Sequence, residues 1–326
     1  MTNQPFDDSQ LNGVFSEGIR CDGAVQCVFS TSETIKVGTG TTTRKHVTKI
    51  YWYIEEIEPR EFQAYQINES HVPSGDGKLL TFTDLMRDYV PELEFFEDKV
   101  LPAMDELSTH LKEGETYQAE GKLYSAQDCF NRARAIDEQN VRALFNLGLI
   151  YMELHDLDKA RDMVRELLNI KSAFDGKNQH LFNEFGIALR KCGLLDEAVS
   201  YYSQALEYTT EDENLFYNLA RVHFERSDWH KCTDALDNVF RLNPDLKVAR
   251  QMVQYIHALI DTPSMCERNS KQCVPPDVAH RINDLYVEQT QPKQPATPIV
   301  FDLEEQDKPQ FGRARSGWNL SEDLEK

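Results

Sequence analysis

The chain has 326 residues, 40% of them hydrophobic, and carries 35 Lys and Arg against 55 Asp and Glu, a formal net charge of −20. That length can hold two domains with ordinary cores. The excess of negative charge removes the attraction on which binding to phosphate backbones and anionic lipid headgroups depends. No run approaches the ~20 apolar residues of a membrane span, and residues 1–10 are polar and acidic where a leader would be basic and then apolar. The seven cysteines are odd in number, scattered and without zinc-ligand spacing, as in a reducing compartment. The expectation is a cytoplasmic protein with no metal or cofactor and neither nucleic acid nor a membrane as partner.

Residues 14–67 are rich in β-branched and aromatic side chains, which predicts strands at 25–29, 33–37 and 47–57. The last holds Ile50, Tyr51, Trp52, Tyr53 and Ile54, apolar on both faces like a central strand. Glu58, Pro59 and Arg60 read as a turn into a strand over 61–67. With Pro73, Gly75 and Gly77, residues 71–78 read as a loop, and Thr83 as the cap of a short helix. Pro91 suits the first turn of a helix that Pro102 then kinks or restarts. The organisation expected is a small α+β domain over 1–90 and a linking helix over 91–106. Residues 37–45 read V-G-T-G-T-T-T-R-K. Gly38 and Gly40 would let backbone N–H groups converge on an anion while Arg44 and Lys45 supply charge, a candidate anion-binding loop. The P-loop pattern is incomplete and a strand follows instead of a helix, so a plain strand connection stands beside that reading.

A helical pattern then recurs four times, from Leu107, Val141, Gln179 and Glu213. Position 8 is small (Gly114, Gly148, Gly186, Ala220), as is position 20 (Ala126, Ala160, Ala198, Cys232), whereas position 24 is bulky (Phe130, Val164, Tyr202, Leu236). Small residues let helix backbones approach and large ones fill the space left. Leu144, Leu147, Gly148 and Tyr151 with Ala160 resemble the tetratricopeptide repeat (TPR) signature W-x-x-L-G-x-x-Y, A-x-x-x-F. The resemblance implies an α-α superhelix of repeats at 107–140, 141–174, 179–212 and 213–246, with a solvating end helix to residue 261.

It also implies that the first helix of each repeat lines a concave, peptide-binding groove. That places Arg142, Phe145, Asn146 and Leu149 in the groove from the second copy, His180, Asn183, Glu184 and Ile187 from the third, and Asn214, Tyr217, Asn218, Arg221 and Glu225 from the fourth. Asn146 and Asn218 would hydrogen-bond a peptide backbone, with Phe145 and Tyr217 holding its side chains. The Lys and Asn set of the chaperone-tail carboxylate clamp is not matched, because Leu111, Glu115, His180 and Glu184 stand at its positions. Residues 262–326 hold seven of the thirteen prolines and are expected to be a disordered acidic tail, interrupted by apolar islands at Ile299–Leu303 and around Phe311 and Trp318. Neither an H-E-x-x-H pair nor a G-x-S-x-G elbow occurs. The function expected is a non-catalytic scaffold that binds a peptide or protein partner, the rival being a sensor that binds a small anion or nucleotide at its N-terminal domain.

Overall fold

In the computed structural model the described residues are 20–21, 24–37, 44–174, 178–209, 211–264, 266 and 272–290. Met1–Gln289 form one contact unit and Thr290–Lys326 a second, of which all but Thr290 lies outside the described residues, together with the tail islands proposed above.

The β-rich segment folds as an antiparallel meander of β1 (Arg20–Cys21), β2 (Ala24–Val37), β3 (Arg44–Glu58), β4 (Glu61–Ile67) and β5 (Pro73–Thr81), with β6 (Val90–Pro91) added against β2. The strands expected at 25–29 and 33–37 are one continuous β2, because β3 pairs with it without a break from Gln26 to Val37. Alternation sends Phe29, Trp52, Ile54 and Phe62 to one face, against helix α1 (Phe82–Asp88) and Tyr89. The opposite face carries Tyr51 and Tyr53, which meet Phe95 and Phe96 at ring-centroid distances of 4.2 and 6.2 Å. Both faces are covered, as the doubly apolar run in β3 demands.

Three local expectations are corrected here. Residues 73–78, read as loop, belong to β5, where the glycines serve a bulge. Gly75 has φ +80° at the register shift opposite Ala64 and Gln66, and a Cβ at Gly77 would lie 2.7 Å from Gln63 Cγ. Thr81, not Thr83, caps α1, since its hydroxyl accepts from Asp84 N–H in a capping box. Pro91 lies in β6 opposite Phe29, and the next helix begins two residues later at Leu93.

That helix runs as a single turn (Leu93–Phe95), a π turn (Phe96–Val100) and α2 (Leu101–Ala119). The widened turn accommodates the Pro102 ring, which a regular helix would press against the carbonyl four residues back. Paired helices follow: α3 (Leu123–Ile136), α4 (Val141–Glu153), α5 (Leu157–Leu168), α6 (Gln179–Lys191), α7 (Leu195–Tyr208), α8 (Glu213–Glu225) and α9 (Trp229–Leu242), then α10 (Lys247–Asp261). A Cβ at Gly114 would meet Phe130 at 2.8 Å, and one at Gly186 would meet Tyr202 Cε1 at 2.5 Å, so position 24 lies over position 8 within these repeats. In the second repeat position 24 is only Val164, and the next repeat's Phe185 takes the place, 2.6 Å from a Cβ on Gly148. Phe145, Phe174, Phe182, Phe185 and Tyr201 continue this packing as one buried aromatic cluster.

The expected disordered tail from residue 262 is corrected at one segment, 276–290. Residues Pro276–Thr290 form helix α11, which buries Val278, Ile282 and Leu285 in the core of the last repeat. Arg281 pairs with Asp234 at 2.9 Å and with Asp237 on α9, and Asp277 meets His230 at 2.7 Å. On α10, His257 stacks on Tyr286 at 4.2 Å, and Arg250 donates to Gln289 at 2.9 Å.

The sheet rests on the turns between repeats. Asn68 Nδ2 donates to the Ile136 carbonyl at 2.8 Å, Ser74 Oγ to Asp137 Oδ1 at 2.6 Å, and the Ser172 amide to Asp76 Oδ1 at 3.1 Å.

Candidate functional site

The first helices of the pairs, α2, α4, α6 and α8, stand in a row, and α10 extends it through Phe224 against Tyr255 at 5.8 Å. This row is the surface expected to bind a peptide, and most of its expected site residues are engaged within the protein. Phe145 is 1% exposed, packed edge-on to Phe185 at 5.1 Å in the aromatic cluster, and so does not face a groove. Asn218 is 7% exposed and donates to Asn183 Oδ1 at 2.8 Å, so the two amides satisfy each other. Asn146 Nδ2 bonds the Arg142 carbonyl one turn back at 2.8 Å, and Arg142 itself pairs with Glu115 of α2 at 2.5 Å. Arg190 and Glu225 make a further pair between α6 and α8. The Asn218–Asn183, Arg142–Glu115 and Arg190–Glu225 contacts run from helix to helix and tie the repeats together.

Tyr217 and Arg221 stand apart. With Phe224, Glu225, Val248, Gln251, Met252 and Tyr255 they line an open groove of about 330 Å³ between α8 and α10. The Arg221 guanidinium sits 5.9 Å from the Tyr217 ring centroid. Val248 and Tyr255 are each 41% exposed. The groove therefore offers aromatic and aliphatic walls, the Arg221 cation, the Glu225 carboxylate that pairs with Arg190, and the Gln251 amide for a polar contact.

The sequence reading missed the α10 side of it, taking this helix for a solvating end piece. The signal is present in the residue spacing. Ala249, Met252, Val253, Ile256 and Leu259 make the stripe that is buried on the last repeat, while Val248, Met252 and Tyr255 at i, i+4 and i+7 make a second one. A helix meant only to meet water has no use for the second.

Behind the groove, His223 is 4% exposed, with Nδ1 3.6 Å from Asp228 Oδ2. Burial holds its pKa below the usual histidine value and outweighs the opposing pull of the Asp228 carboxylate. At the candidate anion-binding loop, Gly38 and Gly40 lie outside the described residues. Arg44 and Lys45 belong to β3, paired with Val37 and Lys36. Among the described residues no group of three or more His, Cys, Asp or Glu is placed to hold a metal ion, and no helix is long and apolar enough to cross a membrane.

Paired antiparallel helices in register, with a small residue of one helix under a ring of the next, define a helical-repeat protein. Residues 111–175 match the tetratricopeptide repeat family model, and that segment of the chain carries tetratricopeptide repeats. Among curated proteins it is 25% identical over 126 residues to the BBSome complex member BBS4 of Bos taurus, covering 38% of this chain and 23% of that protein. It is 26% identical over 111 residues to a probable UDP-N-acetylglucosamine-peptide N-acetylglucosaminyltransferase SPINDLY of Hordeum vulgare, covering 33% of this chain and 12% of that one. The matches thus span less than a quarter of either relative. Among solved structures, YrrB, described as a TPR protein with an unusual peptide-binding site, is 21% identical with a TM-score of 0.37 over 49% of this chain and 80% of its own. A MamA crystal structure is 15% identical with a TM-score of 0.38, over 60% and 99%.

Proposed function

We propose that the protein is a non-catalytic interaction scaffold that holds a peptide segment of a partner protein in the groove between α8 and α10. The observation that carries this is the contrast along the row of first helices. Arg142, Asn146, Asn183 and Asn218 are spent on contacts within the protein, whereas Tyr217, Val248 and Tyr255 keep apolar surface open beside Arg221. An amphipathic or extended peptide inserting an aliphatic or aromatic side chain there would bury that surface, each anchor contributing about 1.5 to 3 kcal/mol. The bovine relative's designation as a member of a complex fits this reading. The free thiols of Cys27, Cys129, Cys192 and Cys273 support a reducing, cytoplasmic setting. The acidic surface supports a partner that is neither nucleic acid nor an anionic membrane.

The test is selection of peptides from a random displayed library on the full chain, followed by binding measurements with two variants. Val248→Asp with Tyr255→Ser should abolish binding of the selected peptides, and Asn146→Ala should leave it within about twofold. Undiminished binding by the groove variant, with its circular dichroism unaltered, would refute the assignment.

A further inference from the structure

We propose that the cleft between the sheet and the turn after α3 binds an uncharged saccharide, whose ring stacks on Trp52. A cavity of about 490 Å³ opens there, within the ~300 to 1,000 Å³ of ordinary small-molecule sites. Part of its lining is a cross-strand row, in which Trp52 of β3 stands opposite Gln66 of β4, and Gln66 opposite Ser74 of β5. Asp76 and Lys78 of β5 and Gln139 of the turn supply the polar remainder.

Bonds within the protein hold this lining in place. Trp52 Nε1 donates to the Thr31 hydroxyl at 3.0 Å and its ring meets Tyr89 edge-on at 6.2 Å, which together fix the plane of the indole. Asn68 donates to the Ile136 carbonyl at 2.8 Å and accepts from the Val72 amide at 3.1 Å. Asp76 Oδ1 accepts from the Ser172 amide, which leaves Oδ2 as a second acceptor. Gly75 has φ +80°, and a Cβ on it would lie 3.2 Å from Gln139 Oε1, so the missing side chain makes room for the Gln139 amide against β5. Groups fixed beforehand lose little freedom when a ligand arrives.

The chemistry of the lining selects the ligand. Gln66, Asp76, Lys78 and Gln139 are all exposed. The two amides donate and accept, the carboxylate only accepts and the ammonium only donates. Hydroxyl groups, each a donor and an acceptor at once, can use all four. The indole adds a flat apolar surface that the C–H face of a sugar ring can cover. Charge then decides among polar ligands. The two charged lining residues, Asp76 and Lys78, are opposite in sign within a chain of net charge −20, so a phosphate or carboxylate finds no net attraction. A neutral sugar is thereby favoured over a nucleotide. A peptide side chain needs an apolar seat, and here only Trp52 and Ile67 are aromatic or aliphatic, against five such residues in the groove between α8 and α10. The two sites are separate, and the test of this one does not depend on the groove.

The experiment titrates the full chain with glucose, N-acetylglucosamine, cellobiose and maltose while tryptophan emission is followed. At least one should saturate with an affinity of about 1 mM or tighter. The emission change should be absent in Trp52→Leu, with circular dichroism confirming the fold. Gln66→Ala with Gln139→Ala alters exposed side chains only, so it should keep the unfolding midpoint and weaken binding at least about fivefold, the effect of two hydrogen bonds. Equal affinity for glucose and the disaccharides would assign the site to a free sugar, and tighter binding of a disaccharide to the end of a longer glycan; either supports the proposal. It is overturned if none of the saccharides saturates at millimolar concentration, or if a folded Trp52→Leu or the double amide variant binds as well as the parent. Tighter binding of glucuronate than of glucose, or of adenosine than of every saccharide, would overturn it too.

Discussion

Replacing Gly186 with Ala tests the packing rule on which the array is built, because two effects of known sign compete at that position. In an open helix the change stabilises by roughly 1 kcal/mol, since alanine loses less backbone entropy on folding than glycine does. Here the new Cβ would stand 2.5 Å from Tyr202 Cε1, whereas ordinary contact between such carbons begins near ~3.5 Å. The ring must retreat by about 1 Å. Tyr202 is fully buried and flanked by Tyr201, whose own ring is locked among Phe145, Phe174, Phe182 and Phe185. Overpacking of this kind costs about 1 to 3 kcal/mol, so the net expectation is a loss of roughly 1 to 2 kcal/mol. Urea unfolding followed by circular dichroism should show the midpoint falling without a change in m-value. The decisive comparison repeats the substitution in a Tyr202→Val background, which gives position 24 the residue that the second repeat has in Val164. There Gly186→Ala should be neutral or stabilising. An equal effect in both backgrounds would refute the ring-over-glycine contact.

The same cluster predicts that Tyr201→Phe is neutral or stabilises by about 1 kcal/mol in the same assay, because its hydroxyl is buried without a hydrogen-bond partner and its removal leaves nothing unsatisfied. His223 should make stability pH-dependent. Its folded pKa lies below its usual 6.5, so the unfolded chain takes up the proton first and stability is lost as pH falls below about 6.5. His223→Gln should flatten that part of the profile, and an unchanged slope would assign it to other groups. Ile282→Ala on α11 should cost about 2 to 4 kcal/mol by leaving a cavity against the last repeat. A change within error would mean that α11 contributes nothing to that core.

The repeats were legible because their determinants are local and periodic. Gly114, Gly148 and Gly186 recur at position 8, and helices α4, α6 and α8 begin at Val141, Gln179 and Glu213. What escaped is the identity of the partner under each glycine, since the ring over Gly148 comes from the next repeat and not from Val164. A repeat signature states that a small residue meets a large one. Which large one depends on how the neighbours compensate for a short side chain. The same limit explains Phe145 and Asn218, which a positional rule sends to the groove. Phe145 instead fills a space that only the assembled cluster defines, and Asn218 finds Asn183 on the adjacent helix. In the N-terminal domain, Gly75 and Gly77 carried a real signal that was assigned to the wrong structure. A bulged edge strand and a loop ask for the same residues, and the pairing with β4 that separates them is non-local. The α11 helix was obscured by Pro275 and Pro276, read as disorder when a proline at the start of a helix serves equally well.

The position of the sheet also bears on where binding can occur. Asn68, Ser74 and Asp76 fasten the sheet to the turns that follow α3 and α5, at the edge of the first two repeats, so the far end of the row stays clear. At that end α10 would normally need a polar outer face, as terminal repeats do. It has one only in part, because α11 packs against His257 and Arg250 while Val248 and Tyr255 remain open. A helix used purely as a cap would be expected to place charged side chains at 248 and 255. Their apolar character costs solubility in return for one edge-on contact of Tyr255 with Phe224, and it makes sense when a partner covers them. Val248→Lys with Tyr255→Lys should therefore lower stability by no more than that ring contact, about 0.5 to 1.5 kcal/mol, while abolishing peptide capture. A fall of more than about 2 kcal/mol would instead show that these residues hold the array together, and the groove would lose its claim to be a binding site.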